Sequence, residues 1–511
     1  MSDPVFGISI RKIPEEARPV LAADLSTIGL IGPAPAADAY YFPLNEPVLV
    51  HSYDSTLISK LGTEGYLPDA IRGINDQLGE TQFAARSVIV RTEIGDDPSP
   101  SLRLQETINA IVGSSTAKTG IFSFLKAPAK VAFTPRLIMA PGYTGQMANT
   151  IGPVVRDIGG YGYIQDKQYA LTFSGGGPTA VQAQAHAFGR SDGSLGPAEI
   201  DLPGAWYTST PTVVAAAPDN PEVDPSEYLI AEYSTSVVQG ANPVCASLTS
   251  VLNQLLGHAI VESSGTSQGN DDDWRETMQS QRLIPITGGC RVLDPDVGFV
   301  VTRPLAPRVA GIAVRRDHET GAPFHSWANQ PVQGIISPAR EIGFTITDGA
   351  NEGQELLSHN IGILVRGEIG SDFAIASGGF VFIGTDNAGE DELWRFYNVT
   401  RGRDFIHLGL LRALRFYLGR FNITGHTVQA IVNTMQFFMR DLQADEHILG
   451  YRVNFKAASN SAEKIRQGKL TVGFAAEEPP VLRHLIVESA RYRPAIDAMV
   501  QQLEAQLNLA A

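Results

Sequence analysis

The segment Ser26-Thr27-Ile28-Gly29-Leu30-Ile31-Gly32 carries no charge, and residues 27–32 read as a strand buried on both faces. The elements after it decide the sheet to which it belongs. Residues 67–78 have the apolar spacing of an amphipathic helix, 87–91 read as a strand and 101–112 as a second helix. Residues 136–140 form a short apolar run that ends at Pro141-Gly142, as a strand does when it enters a loop. Buried strands alternating with helices predict a parallel or mixed α/β sheet.

The character of the chain changes between about 147 and 242. Gly159-Gly160, Gly175-Gly176-Gly177, Ser191-Asp192-Gly193-Ser194, Pro218, Pro221 and Pro225 separate short runs such as Ala170-Leu171-Thr172-Phe173. Turn residues between short strands predict a small β-rich module inserted into the α/β region. The α/β pattern resumes at 243–258 as a helix, with strands at 259–262 and 283–287 and a polar loop at 265–273 between them. From about 361 a further α+β unit is expected. It begins with a strand at 379–383 and continues with two helices. The first covers 404–421, and the second presents Val428, Ile431, Val432, Met435, Met439 and Leu442 on one face. Strands at 449–453 and 470–474 come next. A last helix after Pro494 aligns Ile496, Met499, Val500, Leu503 and Leu507. The expected division is 1–19, 20–146, 147–242, 243–360 and 361–511.

With 511 residues the chain exceeds what one hydrophobic core serves. The net charge of −15 argues against nucleic acid as a partner, because phosphate binding needs clustered Lys and Arg. No run reaches about 18 apolar residues, and Met1-Ser2-Asp3-Pro4 is not a signal peptide, so a chain made in the cytoplasm without membrane insertion is expected.

Sites of chemistry are sparse. Asp271-Asp272-Asp273 lacks the spacing of a calcium loop and reads as a solvated loop capping the helix that holds Trp274. Gly175-Gly176-Gly177 is not followed by a phosphate-binding Lys. His318 and His447 lie beside carboxylates but in polar sequence without a nucleophile, and both read as surface histidines. No catalytic residue, cofactor or metal is expected. A hydrolase on the α/β scaffold is the rival reading.

Phe6-Gly7-Ile8-Ser9-Ile10 alternates as a half-buried strand with Phe6, Ile8 and Ile10 on one face, and Pro14 to Pro19 break it from the rest of the chain. It is either an edge strand of its own domain or a strand added to another subunit's sheet. In order along the chain come Phe42-Pro43-Leu44-Asn45-Glu46-Pro47-Val48-Leu49-Val50, Pro135-Arg136-Leu137-Ile138-Met139-Ala140-Pro141-Gly142, Val309-Ala310-Gly311-Ile312-Ala313, Trp327-Ala328-Asn329, Gly378-Gly379-Phe380 and Trp394-Arg395-Phe396-Tyr397-Asn398-Val399-Thr400-Arg401. Together with the first 32 residues, these segments resemble contractile tail sheath proteins, above all those of temperate contractile-tailed phages and R-type bacteriocins.

The resemblance implies a structural subunit whose central domain is subtilisin-like in fold only. Such subunits form stacked hexameric rings around a tail tube, between a baseplate and a tail terminator, with terminal strands exchanged between neighbours. Contraction would drive the tube through the bacterial envelope for genome delivery, the sheath being a virion component assembled in the host cytoplasm. A phage-derived injection system is the alternative setting. Arg412, Arg415 and Arg420 in the expected 404–421 helix, preceded by Arg401 and Arg403, are the candidate surface for an acidic tube. Pairing within the chain, with Asp441 or Glu390, is the alternative. Cys245 and Cys290 read either as free buried thiols or as partners in an inter-subunit disulfide.

Overall fold

The computed structural model describes residues 25–79, 84–177, 180–202 and 204–508. The strand expected around Phe6, Ile8 and Ile10 lies outside them. Among the described residues, those up to Pro479 form one compact unit and those from Pro480 a second.

The first unit is built around β1 (Ile28–Pro33), every residue of which is buried. Strand periodicity sends Ile28 and Leu30 into one core and Ile31 into another. Gly29 is required here: a Cβ would sit 3.0 Å from Pro135 Cβ and 3.1 Å from a Phe124 ring carbon. β2 (Pro47–His51) and the short α1 (Ser55–Ser59) lead to α2 (Leu67–Leu78). Pro68 in the first turn of α2 and Gly79 with φ +63° set its bounds. β3 (Arg86–Thr92), α3 (Pro100–Val112), α4 (Ala127–Val131) and β4 (Leu137–Met139) come after it.

β5 (Ala148–Ile151) and β12 (Val237–Gly240) pair antiparallel where the chain leaves and re-enters this unit. Between them β6 (Val155–Ile158), β7 (Gln168–Ser174), β8 (Gln184–Phe188), β9 (Glu199–Leu202), β10 (Thr212–Ala215) and β11 (Glu232–Ser234) form an antiparallel sheet in the order β6-β11-β10-β7-β8-β9. In β7 the inward residues Tyr169, Leu171 and Phe173 are buried and their neighbours exposed, so this sheet has a core of its own.

α5 (Pro243–Leu255), β13 (His258–Glu262), α6 (Gln268–Glu276) and β14 (Leu283–Ile286) complete the central sheet, whose order is β14-β13-β4-β1-β3-β2. β2 pairs antiparallel with β3, and the other pairings are parallel. The expected loop 265–273 is helical over most of its length: Ser267 caps α6 by accepting from Asn270 N. Asp271 is buried and paired with Arg340 at 2.7 Å, a partner 69 residues away that supplies what a solvated carboxylate would have taken from water.

β15 (Cys290–Leu293), β16 (Val300–Arg303), α7 (Ala306–Thr320), β17 (Gln330–Pro331), β18 (Ser337–Pro338), α8 (Glu352–Ser358), β19 (Ile363–Arg366) and β20 (Phe380–Ile383) make two small antiparallel sheets and the helix that packs on α2. Arg308 of α7 is fully buried, and its Nη atoms donate to both Asp69 oxygens of α2 at 3.1 and 3.2 Å.

α9 (Tyr397–Leu414), α10 (Gly425–Ala444), β21 (Gly450–Asn454), α11 (Ala462–Arg466) and β22 (Gly473–Glu477) close the unit. α9 begins and ends seven residues before the expected 404–421. Gly419 at φ +72° turns the chain, and the rings of Phe416, Tyr417 and Phe421 fold together there. The last strand falls at Gly473–Glu477 rather than 470–474. The second unit lacks regular structure to residue 493 and then forms α12 (Pro494–Asn508), whose aligned residues Ile496, Met499, Val500, Leu503 and Leu507 are 47–70 % exposed.

Candidate assembly surface

β21 and β22 pair from Gly450↔Glu477 to Asn454↔Gly473 and form a sheet of two strands only among the described residues. Tyr451, Val453, Phe474 and Ala476 pack on Met435, Phe438, Met439 and Leu442 of α10, so one face is covered. The lateral edges differ. Arg403 reaches β22, with its Nη2 donating to Ala476 O at 2.7 Å and its guanidinium gripping both Glu478 oxygens at 2.7 Å. β21 has no strand on its other side among the described residues. Such an edge presents main-chain donors and acceptors ready for another strand.

The hairpin stands on a rigid base because α9 is fixed to the central unit by buried charge. Arg401 donates to both oxygens of Asp317 at 3.1 and 2.6 Å and lies over the Trp327 ring. Arg282 donates to Asp404 at 2.6 Å, and His258 Nε2 meets the Thr400 hydroxyl at 3.1 Å. Burial, helped by Arg282 and Arg401 and opposed by Asp404, pushes His258 down to about 3. Burial works against Asp404 ionising, but hydrogen bonds from His407 and Arg282 and the nearby positive charge hold it down to about 2. Arg401 and Arg403 are therefore anchors rather than part of a basic surface, a role the sequence does not reveal because their partners lie 84 and 75 residues away.

Of the three arginines expected on a tube-facing helix, only Arg412 lies within α9. Arg415 ends that helix, and Arg420 lies past it over the Phe416 ring at 5.1 Å. All three are exposed, next to exposed Leu411, Leu418 and Phe421. Both cysteines are free and buried, Cys245 in one core of the central sheet and Cys290 in the other. Burial raises both thiols, Cys290 to about 12. Burial of both sulfurs within the subunit's own cores weighs against the inter-subunit disulfide and for the free-thiol reading, since a buried thiol forms thiolate less readily.

His318 is exposed on α7, whereas His447, expected at the surface, is buried with its ring stacked on Phe324 at 4.9 Å and 8°. No group of three or more His, Cys, Asp or Glu among the described residues is placed to hold a metal. No described helix is long and apolar enough to cross a membrane.

No family model matches the chain. The tail sheath protein of Escherichia phage P2 is 21 % identical over 490 residues, covering 95 % of each chain. The tail sheath protein of Burkholderia phage BcepMu is 22 % identical over 506 residues, covering 93 % of this chain and 94 % of its own. The relatives of this chain are contractile tail sheath proteins. The fold is shared with the helical sheath of the anti-feeding prophage in its contracted state, at a TM-score of 0.53 and 14 % identity, over 96 % of this chain and all of that one.

On this sheath fold, segments far apart in sequence meet. Trp327 stacks on Tyr397 with ring centroids 4.4 Å apart, and Arg401 covers the Trp327 ring, which joins the Trp327-Ala328-Asn329 segment to the one ending at Arg401.

Proposed function

We propose that the chain is a structural subunit of a contractile tail sheath, polymerising as stacked hexameric rings around a tail tube and shortening to drive that tube through a bacterial envelope. The observation that carries the reading is the β21–β22 hairpin, a two-stranded sheet on a fixed base with its β21 edge open among the described residues. Two strands alone are marginal in water, and a third supplied by a neighbour adds a full ladder of main-chain bonds. The alternating segment holding Phe6, Ile8 and Ile10 is the strand we assign to that role.

Pro14 and Pro19 lie between the donated strand and the body. Subunits joined this way slide and rotate while the exchanged strand stays paired. The extended lattice is then a state set by assembly on tube, baseplate and terminator, and shortening releases free energy as subunits gain lateral contacts. This mechanism uses no nucleotide and no catalytic group. The exposed turn with Arg412, Arg415 and Arg420 is the surface we assign to an acidic tube. In the same reading, residues 147–242 face outward and the unit from 361 faces the tube.

The likeness to the anti-feeding prophage sheath favours one second setting, a phage-derived injection system built on the same subunit physics. Electron microscopy of the purified chain at rising concentration, alone and with tail tube, tests the proposal. Hollow tubes of sixfold symmetry are expected, and removal of residues 1–17 leaves a folded subunit that makes no long tubes. Tubes of normal length from the truncated chain refute strand donation.

A further inference from the structure

The chain leaving β1 crosses to the edge strand β2 before it covers one face of the central sheet as α2, and the chain leaving β3 covers the other face as α3. The loops that follow β1 and β3 start at the same end of two adjacent parallel strands, and a crevice lies between them there. It has a volume of about 600 Å³ and an apolar floor that includes Pro33, Ala34 and Ala110.

Its rim is acidic. Glu93 and Asp96 are exposed, and neither forms an ion pair among the described residues. Glu106 accepts from the main-chain N–H of Asp96 and Asp97 at 3.1 and 3.2 Å, which holds the loop in shape. Among the described residues Arg91 is the one cation lining the crevice, and its Nη1 donates to Ala37 O at 2.9 Å. At the wall stands Thr92, 3 % exposed, whose hydroxyl has no partner among the described residues.

The complementary surface lies elsewhere in the same chain. The connection from β21 to β22 carries Lys456, Lys464, Arg466 and Lys469 against the single acid Glu463, and all four cations are exposed. Lys464 donates to Ser459 O at 3.2 Å and Lys469 to the Gln467 side chain at 3.1 Å; none of the four is ion-paired among the described residues. In a chain of net charge −15 such a cluster is a local exception.

We propose that the crevice at the ends of β1 and β3 receives the basic β21–β22 connection of a second copy of this chain, the cations meeting Glu93 and Asp96. This rests on the reading of the chain as a self-assembling sheath subunit and names one contact of that assembly. Arg91, the cation already lining the crevice, confines the incoming charge to the acidic rim at Glu93 and Asp96. The contact is electrostatic and rim-exposed, so it weakens with salt and governs which surfaces meet.

Charge reversal in the full-length chain tests it, read as the concentration at which half of the protein sediments as assembly. Glu93→Lys with Asp96→Lys, or Lys464→Glu with Arg466→Glu, each raises that concentration about tenfold at low salt, and combining all four restores it to within about threefold of the unsubstituted chain. All four side chains are exposed, so the fold, checked by circular dichroism, is expected to be unchanged. Mixing Asp96→Cys with Arg466→Cys protein under oxidising conditions supplies a second reading, since the native thiols are buried and the introduced thiols are the exposed ones. Mixed disulfide-bonded dimers are expected to form about tenfold faster in the mixture than dimers of either component alone. Assembly indifferent to both reversals, a combined variant no better than its parents, or mixed dimers that form no faster would overturn the contact while leaving the sheath reading intact. A chain that stays monomeric even with tail tube would overturn both.

Discussion

The central sheet and the β21–β22 hairpin are opposite solutions to the same problem of pairing strands. The sheet has six strands, helices on both faces and buried ion pairs that tie its covering helices in place, so its free energy is secured within one chain. The hairpin has two strands, one covered face and an edge closed only where Arg403 reaches it. A subunit that must stay folded while its contacts are remade needs both kinds of structure, one insensitive to neighbours and one completed by them.

The contrast breaks most visibly at Arg308. Replacing it with Ala leaves Asp69 buried without its counter-charge and is expected to cost about 3–5 kcal/mol in denaturant unfolding, with Arg308→Met plus Asp69→Leu recovering most of the loss. On the hairpin side, Arg403→Met removes three hydrogen bonds to β22 and to Glu478 just beyond it. Hydrogen exchange at 450–454 and 473–477 should rise by an amount equal to about 1–3 kcal/mol, with the central sheet unchanged. A change spread evenly over both regions would contradict their separation.

A pH titration sharpens the same point at the base of α9. His258 is held neutral by burial, so its folded pKa is below the ordinary value, and the unfolded chain binds the extra proton. Stability is full above about 6.5 and is lost progressively as pH falls toward 3. His258→Gln flattens this slope in acid unfolding curves. The smallest effect concerns the thiols. Cys245→Ser or Cys290→Ser changes packing locally, but non-reducing electrophoresis of assembled material shows only monomer with or without these substitutions.

Local signals in the sequence carry the regular elements far. The helix at Leu67–Leu78 is bounded by Pro68 and Gly79, and β1 and β3 have no charge within their buried cores, so their nature is written in adjacent residues. α6 is legible only at its end, where Trp274 marks a helix; its first six residues, Gln268-Gly269-Asn270-Asp271-Asp272-Asp273, are polar and read as loop, because the buried carboxylate of Asp271 is satisfied by Arg340 far along the chain. The same reason hides Arg401 and Arg403, whose charge reads as surface until Asp317 and Glu478 are brought to them by the fold. The hairpin is partly legible as two strands, but its open edge is a property of which strands meet, and no local pattern records that.

Amide hydrogen exchange of the full-length chain, as monomer and as assembled tube, tests the central claim directly. The account predicts that 450–454 and 473–477 gain at least about 100-fold protection on assembly while β1 and β3 stay equally protected in both states. Unchanged exchange in the hairpin on assembly would show that no neighbouring strand completes it and would contradict the account.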